Sequence, residues 1–203
     1  MTDLLKLLVS GDPDAFQSRD LRRQELARDL VASSYIRGSY VMSSGAASSY
    51  YFDPTLFMTK PTVLRRLASL LAGLIPFDVD RLAGTEPGSI AIVAAVSIET
   101  GLPFVSLRAD PHNRATGPQI AGEVHAGERV MFIEDVITSG AHALASVSVL
   151  AAYGAEVVGV LAVINREEGG NTALARADYS LSALFGISEL VDINTHRSPG
   201  SGE

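Results

Sequence analysis

The run Val130 to Gly140, VMFIEDVITSG, sets two adjacent carboxylates, Glu134 and Asp135, just ahead of a small-residue turn, Thr138-Ser139-Gly140. A turn of this kind opening a helix aims backbone N–H groups and the hydroxyls of Thr138 and Ser139 at one point, where the helix dipole adds positive potential. That point suits a phosphate. Carboxylates repel phosphate, so the two acids must serve another part of the same ligand, and neighbouring sugar hydroxyls are natural partners for strong acceptors. A ribose 5-phosphate satisfies both halves. An acidic strand end followed by an N-capping turn is the plainer alternative. No GxxxxGK[ST] is present and no GxGxxG opens a helix, so the common nucleotide loops do not apply.

These residues need a rigid frame, and the flanking sequence supplies one. Val130 to Ile133 is an uncharged apolar run, read as a strand covered on both faces, which would leave Glu134 and Asp135 at its carboxyl end. Leu144, Val147 and Leu150 then recur at helical spacing. RLAG, Leu102 to Leu107 and Val157 to Ile164 read as further strands, with helices over KPTVLRRLASLLAGLI and the apolar stretch after TEPGS, and DYSLSALFGISEL as a last strand and short helix. The alternation predicts an α/β fold with a parallel sheet between helix layers. Ahead of it, Arg19 to Ile36 has helical periodicity, and its arginines at 22, 23 and 28 alternate with acids as on a solvated face. Tyr40 to Met42 and Tyr50 to Phe52 suggest a small β ribbon over the sheet. INTHRSPGSGE reads as a frayed tail.

Composition narrows the partners. The chain has 203 residues, 47% of them hydrophobic and 19% charged, as expected of one globular domain with a full core. A net charge of −7 argues against a nucleic-acid partner. Without cysteine there is no disulfide framework and no thiol nucleophile, and no apolar run is long enough for a membrane span. With no export signal evident at MTDLLKLLVSGD, a cytoplasmic protein is expected. Of the 16 basic residues only Lys6 and Lys60 are lysines, and neither lies near the motifs. His125, His142 and His196 show no metal-ligand spacing with acids and read as surface or core residues.

Two further stretches carry potential chemistry. Arg108 to Gln119, RADPHNRATGPQ, is a polar loop of the length that functional lids or disordered segments have. Arg166 follows the Val157 to Ile164 strand, on the rim where doubly wound sheets place ligands, and a guanidinium there could grip a carboxylate in bidentate fashion or pair with Glu167 or Glu168.

IEDVITSG resembles the phosphoribosyl diphosphate (PRPP) signature of type I phosphoribosyltransferases, and the chain from about Leu30 to Leu190 resembles the orotate phosphoribosyltransferases. The resemblance implies one type I phosphoribosyltransferase domain over 1–203: a mostly parallel sheet flanked by helices, core at about 60–185, and a small hood from about 19–59 plus the C-terminal part. It implies transfer of ribose 5-phosphate from PRPP to orotate, giving orotidine 5-phosphate and pyrophosphate. In these roles Glu134 and Asp135 would hold the ribose hydroxyls, with Asp135 also counted as catalytic. Val136, Ile137, Thr138, Ser139, Gly140 and Ala141 would hold the 5-phosphate, and the turn Thr85 to Ser89 would meet the pyrophosphate. Arg166 and Thr138 would contact orotate, with Tyr51 and Phe52 near the base, although plain packing accounts for these aromatics equally well. Mg²⁺ would be held by diphosphate, ribose hydroxyls and water rather than directly by protein side chains. A homodimer is implied, with each flap serving the neighbouring subunit.

The flap departs from the family pattern Arg-Lys-x-x-Lys-x-His-Gly. Arg108 keeps the arginine for pyrophosphate, while Ala109, His112 and Arg114 stand at the lysine, lysine and histidine positions. Negative charge builds on departing pyrophosphate, and losing one donor to such charge typically costs on the order of 10²–10³ in rate. Arg114 and a protonated His112 are the candidates to restore it. Two other readings therefore stay open: transfer to another carboxylated base, or a weakly active or inactive PRPP-binding regulatory homologue.

Overall fold

A computed structural model describes residues 18–41, 45, 47–108 and 119–195. The flap residues Ala109, His112 and Arg114, and the segments 1–17 and 196–203, lie outside the described residues. The first helix, α1 (Arg19–Ser34), begins where the Ser18 hydroxyl accepts from the Leu21 amide at 3.2 Å. It stops at Ser34, two residues short of the sequence expectation, because Tyr35 is already extended and starts β1 (Tyr35–Val41). β1 pairs antiparallel with β2 (Ala47–Phe52) to form a separate two-stranded ribbon. Two helices with proline in the first turn follow, α2 (Pro54–Met58) and α3 (Pro61–Ala72).

The main sheet contains β3 (Arg81–Glu86), β4 (Phe104–Arg108), β5 (Ile120–Ala121), β6 (Arg129–Ile137), β7 (Glu156–Asn165) and β8 (Leu181–Gly186). Their spatial order is β5-β4-β3-β6-β7-β8, and every pairing is parallel except β4 with β5. The connecting helices are α4 (Ile90–Thr100), α5 (Ala141–Ala152) and α6 (Gly170–Arg176), and α7 (Ile187–Thr195) closes the described chain. The expected α/β architecture with a mostly parallel sheet and a small ribbon is present.

Period-2 alternation divides the sheet between two cores. Met131, Ile133, Leu161 and Val163 face the side covered by α1, α3 and α4, with Leu30, Leu67, Leu71, Ile92 and Val96. Val130, Phe132, Val160 and Ala162 face the other side, against Val147 and Leu150 of α5 and Leu174 of α6. Both faces being covered explains why the strands read as continuous apolar runs.

The direction of winding reverses beside β3. From β3 the chain moves outward to β4, whereas from β6 it moves the opposite way through β7 to β8. Neighbouring parallel strands whose connections diverge leave a crevice at their carboxyl ends, where open α/β sheets bind ligands. The fold therefore singles out the β3–β6 rim before any side chain is considered.

Three expectations need correction. β6 does not end at Ile133: it runs to Ile137, so Glu134 and Asp135 stand inside the strand. The α1 arginines are also not a simple solvated face. Arg23 donates to the Leu184 carbonyl at 2.7 and 3.0 Å, pairs with Glu189 at 2.6 Å and lies 4.6 Å from the Phe185 ring centre. It ties α1 to β8 and α7, and the first residues of the expected tail, 193–195, belong to α7.

Candidate active site

A cavity of about 290 Å³ opens at the β3–β6 rim. From β3 and the turn after it come Thr85, Glu86, Pro87 and Gly88; from β6 and the turn into α5 come Glu134, Asp135, Val136, Ile137, Thr138, Gly140, His142 and Ala143. The acid pair and the phosphate turn expected from sequence thus share one wall, and the Thr85 to Ser89 turn forms the opposite one.

Local geometry explains the small residues. Gly84 packs where a side chain would strike Val93 and the Ser89 hydroxyl, while that hydroxyl accepts from the Thr85 amide at 2.8 Å and closes the turn. Gly88 lies beside Asp135: a Cβ there would be 3.6 Å from both carboxylate oxygens. Gly140 caps α5 with φ of 81°, in the left-handed region that favours glycine. Its backbone meets Gly170 of α6, whose amide donates to the Thr138 carbonyl at 2.9 Å.

The two carboxylates differ in environment. Glu134 is 4% exposed, and a buried carboxylate needs partners. It has two: Oε1 lies 2.7 Å from His142 Nδ1, and Oε2 accepts from the Thr85 hydroxyl at 3.3 Å. Asp135 accepts from the Val136 amide at 2.7 Å. Burial, reinforced by the Glu134 charge, pushes the Asp135 carboxyl up to about 6. The hydrogen bond to Glu134 raises the His142 pKa above its ordinary value. His142 was read from sequence as a surface or core histidine; its place here depends on a helix that brings it back over β6. In the turn itself, Ser139 Oγ accepts from the Ala141 amide at 3.4 Å.

Arg166 follows the end of β7, with its amide donating to the Ile137 carbonyl at 2.8 Å, so it neighbours the phosphate turn. Its guanidinium Nε donates to Glu168 at 2.9 Å, the ion pair that sequence reading kept as the alternative to a ligand contact. The Tyr50 phenol feels the charges of Arg166, Glu167 and Glu168; burial raises its pKa and Arg166 partly offsets the rise. Tyr50 also stacks on Tyr35 with ring centres 5.0 Å apart. The ribbon residues named from sequence lie elsewhere: Tyr51 is 39% exposed beside Tyr40, and Phe52 is buried against Phe57. Tyr50, not singled out beforehand, is the aromatic close to Arg166. Arg108 ends β4 next to β3, with Glu86 as its register partner. Glu86 itself accepts a short hydrogen bond from Ser106.

This arrangement can hold a phosphorylated sugar, with amides at one end and acceptors for hydroxyls beside them. No family model matches the chain. Curated relatives do. An orotate phosphoribosyltransferase of Thermococcus gammatolerans is 37% identical over 166 residues, covering 80% of this chain and 88% of that protein. One from Methanoculleus marisnigri is 39% identical over 155 residues, covering 76% and 89%. Among solved structures, orotate phosphoribosyltransferase from Aeropyrum pernix superposes with a TM-score of 0.77 at 25% identity, covering 85% of this chain and 99% of that one. The Mycobacterium tuberculosis enzyme in complex with PRPP gives 0.71 at 26% identity, covering 84% and 99%. With this degree of identity along most of both chains, in a fold that builds its cavity from the PRPP signature, the chain belongs to the orotate phosphoribosyltransferase family.

Proposed function

We propose that this chain transfers the 5-phosphoribosyl group of PRPP to N1 of orotate, yielding orotidine 5-phosphate and pyrophosphate. The C1–oxygen bond of PRPP breaks with its electron pair leaving on pyrophosphate, the C1–N1 bond forms, and the N1 proton is released. The observation that carries this reading is the single cavity in which the acids of β6, the turn into α5 and the turn after β3 meet. Family membership supports the same reaction.

In this reading Glu134 and Asp135 accept from the ribose hydroxyls, and the amides of Val136 to Ala141, with Thr138 and Ser139, hold the 5-phosphate. Arg108 meets pyrophosphate, with His112 and Arg114 of the flap. Arg166 and Thr138 take orotate, with Tyr50 as the ribbon aromatic beside Arg166. Arg166 would exchange Glu168 for the orotate carboxylate, one acceptor replacing another at the same donor. The acids of the cavity offer oxygen donors, which suit Mg²⁺, but Glu134 already has His142 and Thr85 as partners. Mg²⁺ would therefore be held by the diphosphate, the ribose hydroxyls and water rather than by these side chains, and would supply charge neutralisation for the leaving diphosphate. A homodimer in the cytoplasm completes the proposal; among the described residues no helix is long and apolar enough to cross a membrane.

Loss of orotate absorbance on adding PRPP and Mg²⁺ tests the reading directly. Turnover of a different carboxylated base but not orotate would move the acceptor. PRPP binding without turnover would favour a regulatory homologue, the reading that Ala109 in the flap supports.

A further inference from the structure

Among the described residues that line the cavity there are three carboxylates, Glu86, Glu134 and Asp135, and one side chain able to carry positive charge, His142. An anionic sugar phosphate entering such a cavity meets repulsion unless that histidine is charged. We propose that His142 is a positioning residue that holds Glu134 and, when doubly protonated, supplies the cation that makes the cavity receptive to the sugar phosphate. The proposal deepens the PRPP reading above and rests on it.

The geometry fixes the proton inventory. An ionised carboxylate only accepts, so Nδ1, 2.7 Å from Glu134 Oε1, carries a hydrogen. Nε2 is then an acceptor in the neutral ring and a donor in the cation. The ring is 55% exposed and stands at the second residue of α5, within the helix turn whose amides face the phosphate position. A cation at a helix N-terminus is disfavoured by the dipole, so a compensating charge is needed. Glu134 and Asp135 of β6 provide it from beneath, and Glu86 faces the same space from the end of β3. Glu134 gains as well, because a buried carboxylate with two fixed donors keeps one rotamer in which its remaining lone pairs can receive a hydroxyl.

Calorimetric titration of PRPP with Mg²⁺ between about pH 6 and pH 8, for the unaltered chain and for His142→Gln, tests this. Glutamine can still donate to Glu134 but cannot titrate. The unaltered chain should bind PRPP about three- to tenfold tighter at the acidic end, beyond any trend shared with the variant, as expected when a neutral contact becomes charge-assisted. Titration of the phosphate group and of His112 occurs in both proteins and is shared, so the difference between the curves reports His142 together with its charge coupling to Asp135. In the ligand-free chain, the ¹⁵N imidazole resonances of His142 should titrate at lower pH once Glu134→Gln is introduced. Parallel affinity curves for the two proteins, or an unmoved His142 midpoint in E134Q, would overturn the inference while leaving the PRPP reading intact. No PRPP binding by the unaltered chain at any pH would overturn both.

Discussion

The amide of Gly170, at the start of α6, donates to the Thr138 carbonyl at 2.9 Å, and a Cβ on Gly170 would stand 2.6 Å from that same oxygen and would collide with Ile137. The turn from β6 into α5 is thus buttressed by a second helix whose first residue has no side chain. Gly170→Ala must push the turn away, since a backbone oxygen cannot rotate aside. The expected cost is about 1–3 kcal/mol of stability, the range for overpacking a tight contact. Urea unfolding should show the loss, and the KM for PRPP should rise more than that for orotate.

Asp135 gives a pH signature. Its folded-state pKa of about 6 lies above the ordinary 3.8, so the folded chain binds this proton more tightly than the unfolded one. Its contribution to stability is therefore fully present below about 3.8 and is lost as pH rises through about 6. Asp135→Asn removes the titration: above about pH 6 the variant should be more stable by about 2 kcal/mol, with the partial exposure of the site allowed for, and should lose most PRPP affinity. Unfolding measured from about pH 4 to 8 for both proteins checks the crossing. Equal pH slopes would place the aspartate in an ordinary solvated state.

These two positions show where the sequence was informative and where it was not. The apolar runs, the acids and the small-residue turn were legible because strands covered on both faces and helix-opening turns leave local patterns. Ending β6 at Ile133 failed because a charged residue normally marks a strand exit. Glu134 stays in the strand only because His142 and Thr85 satisfy it, and Thr85 is 49 positions away. α6 was not anticipated, since it opens on glycine, a poor helix former, and Gly170 is required there by the approach to Thr138. Arg23 looked solvated because its acceptor, the Leu184 carbonyl, is 161 residues away.

Away from the cavity, Arg81 at the amino end of β3 pairs with Glu128 through two 2.8 Å hydrogen bonds. The Arg81 guanidinium holds the Glu128 carboxyl down to about 2, well below the ordinary 4.5. That stability is present above about 4.5 and is lost as pH falls toward about 2. Glu128→Gln strands a largely buried guanidinium and should cost about 3 kcal/mol near neutral pH, with little change in either KM. Denaturant midpoints of the two proteins should converge as the solution is acidified.

The flap carries a test of its own. His112 and Arg114 stand where the family has a lysine and a histidine, so in the proposed reading charge on the leaving pyrophosphate would be met partly by an imidazole, whose unperturbed pKa is about 6.5. Turnover at saturating substrate should rise as pH falls from roughly 8 to roughly 6, and Arg114→Ala should lower kcat by about 10²-fold. A flat profile with an unaffected variant would remove both residues from the chemistry.

Arg166, proposed above to take the orotate carboxylate, is paired with Glu168. Their 2.9 Å contact keeps the guanidinium occupied by an internal carboxylate, and only 9% of the Arg166 side chain is exposed. In the proposed reading an orotate carboxylate that takes the Nε donor displaces Glu168, so the internal pair should act as a competitor built into the chain. Removing the donor and removing the competitor then have opposite signs. Arg166→Ala should raise the KM for orotate by about 10²-fold, because two charge-assisted hydrogen bonds are lost, with the KM for PRPP little changed. Glu168→Gln should lower the KM for orotate by about two- to fivefold, since a neutral amide holds a guanidinium less firmly than a carboxylate does. Steady-state kinetics with each substrate varied in turn separates the outcomes. A rise in the orotate KM for both variants would mean that Glu168 holds Arg166 in its productive position instead of competing for it.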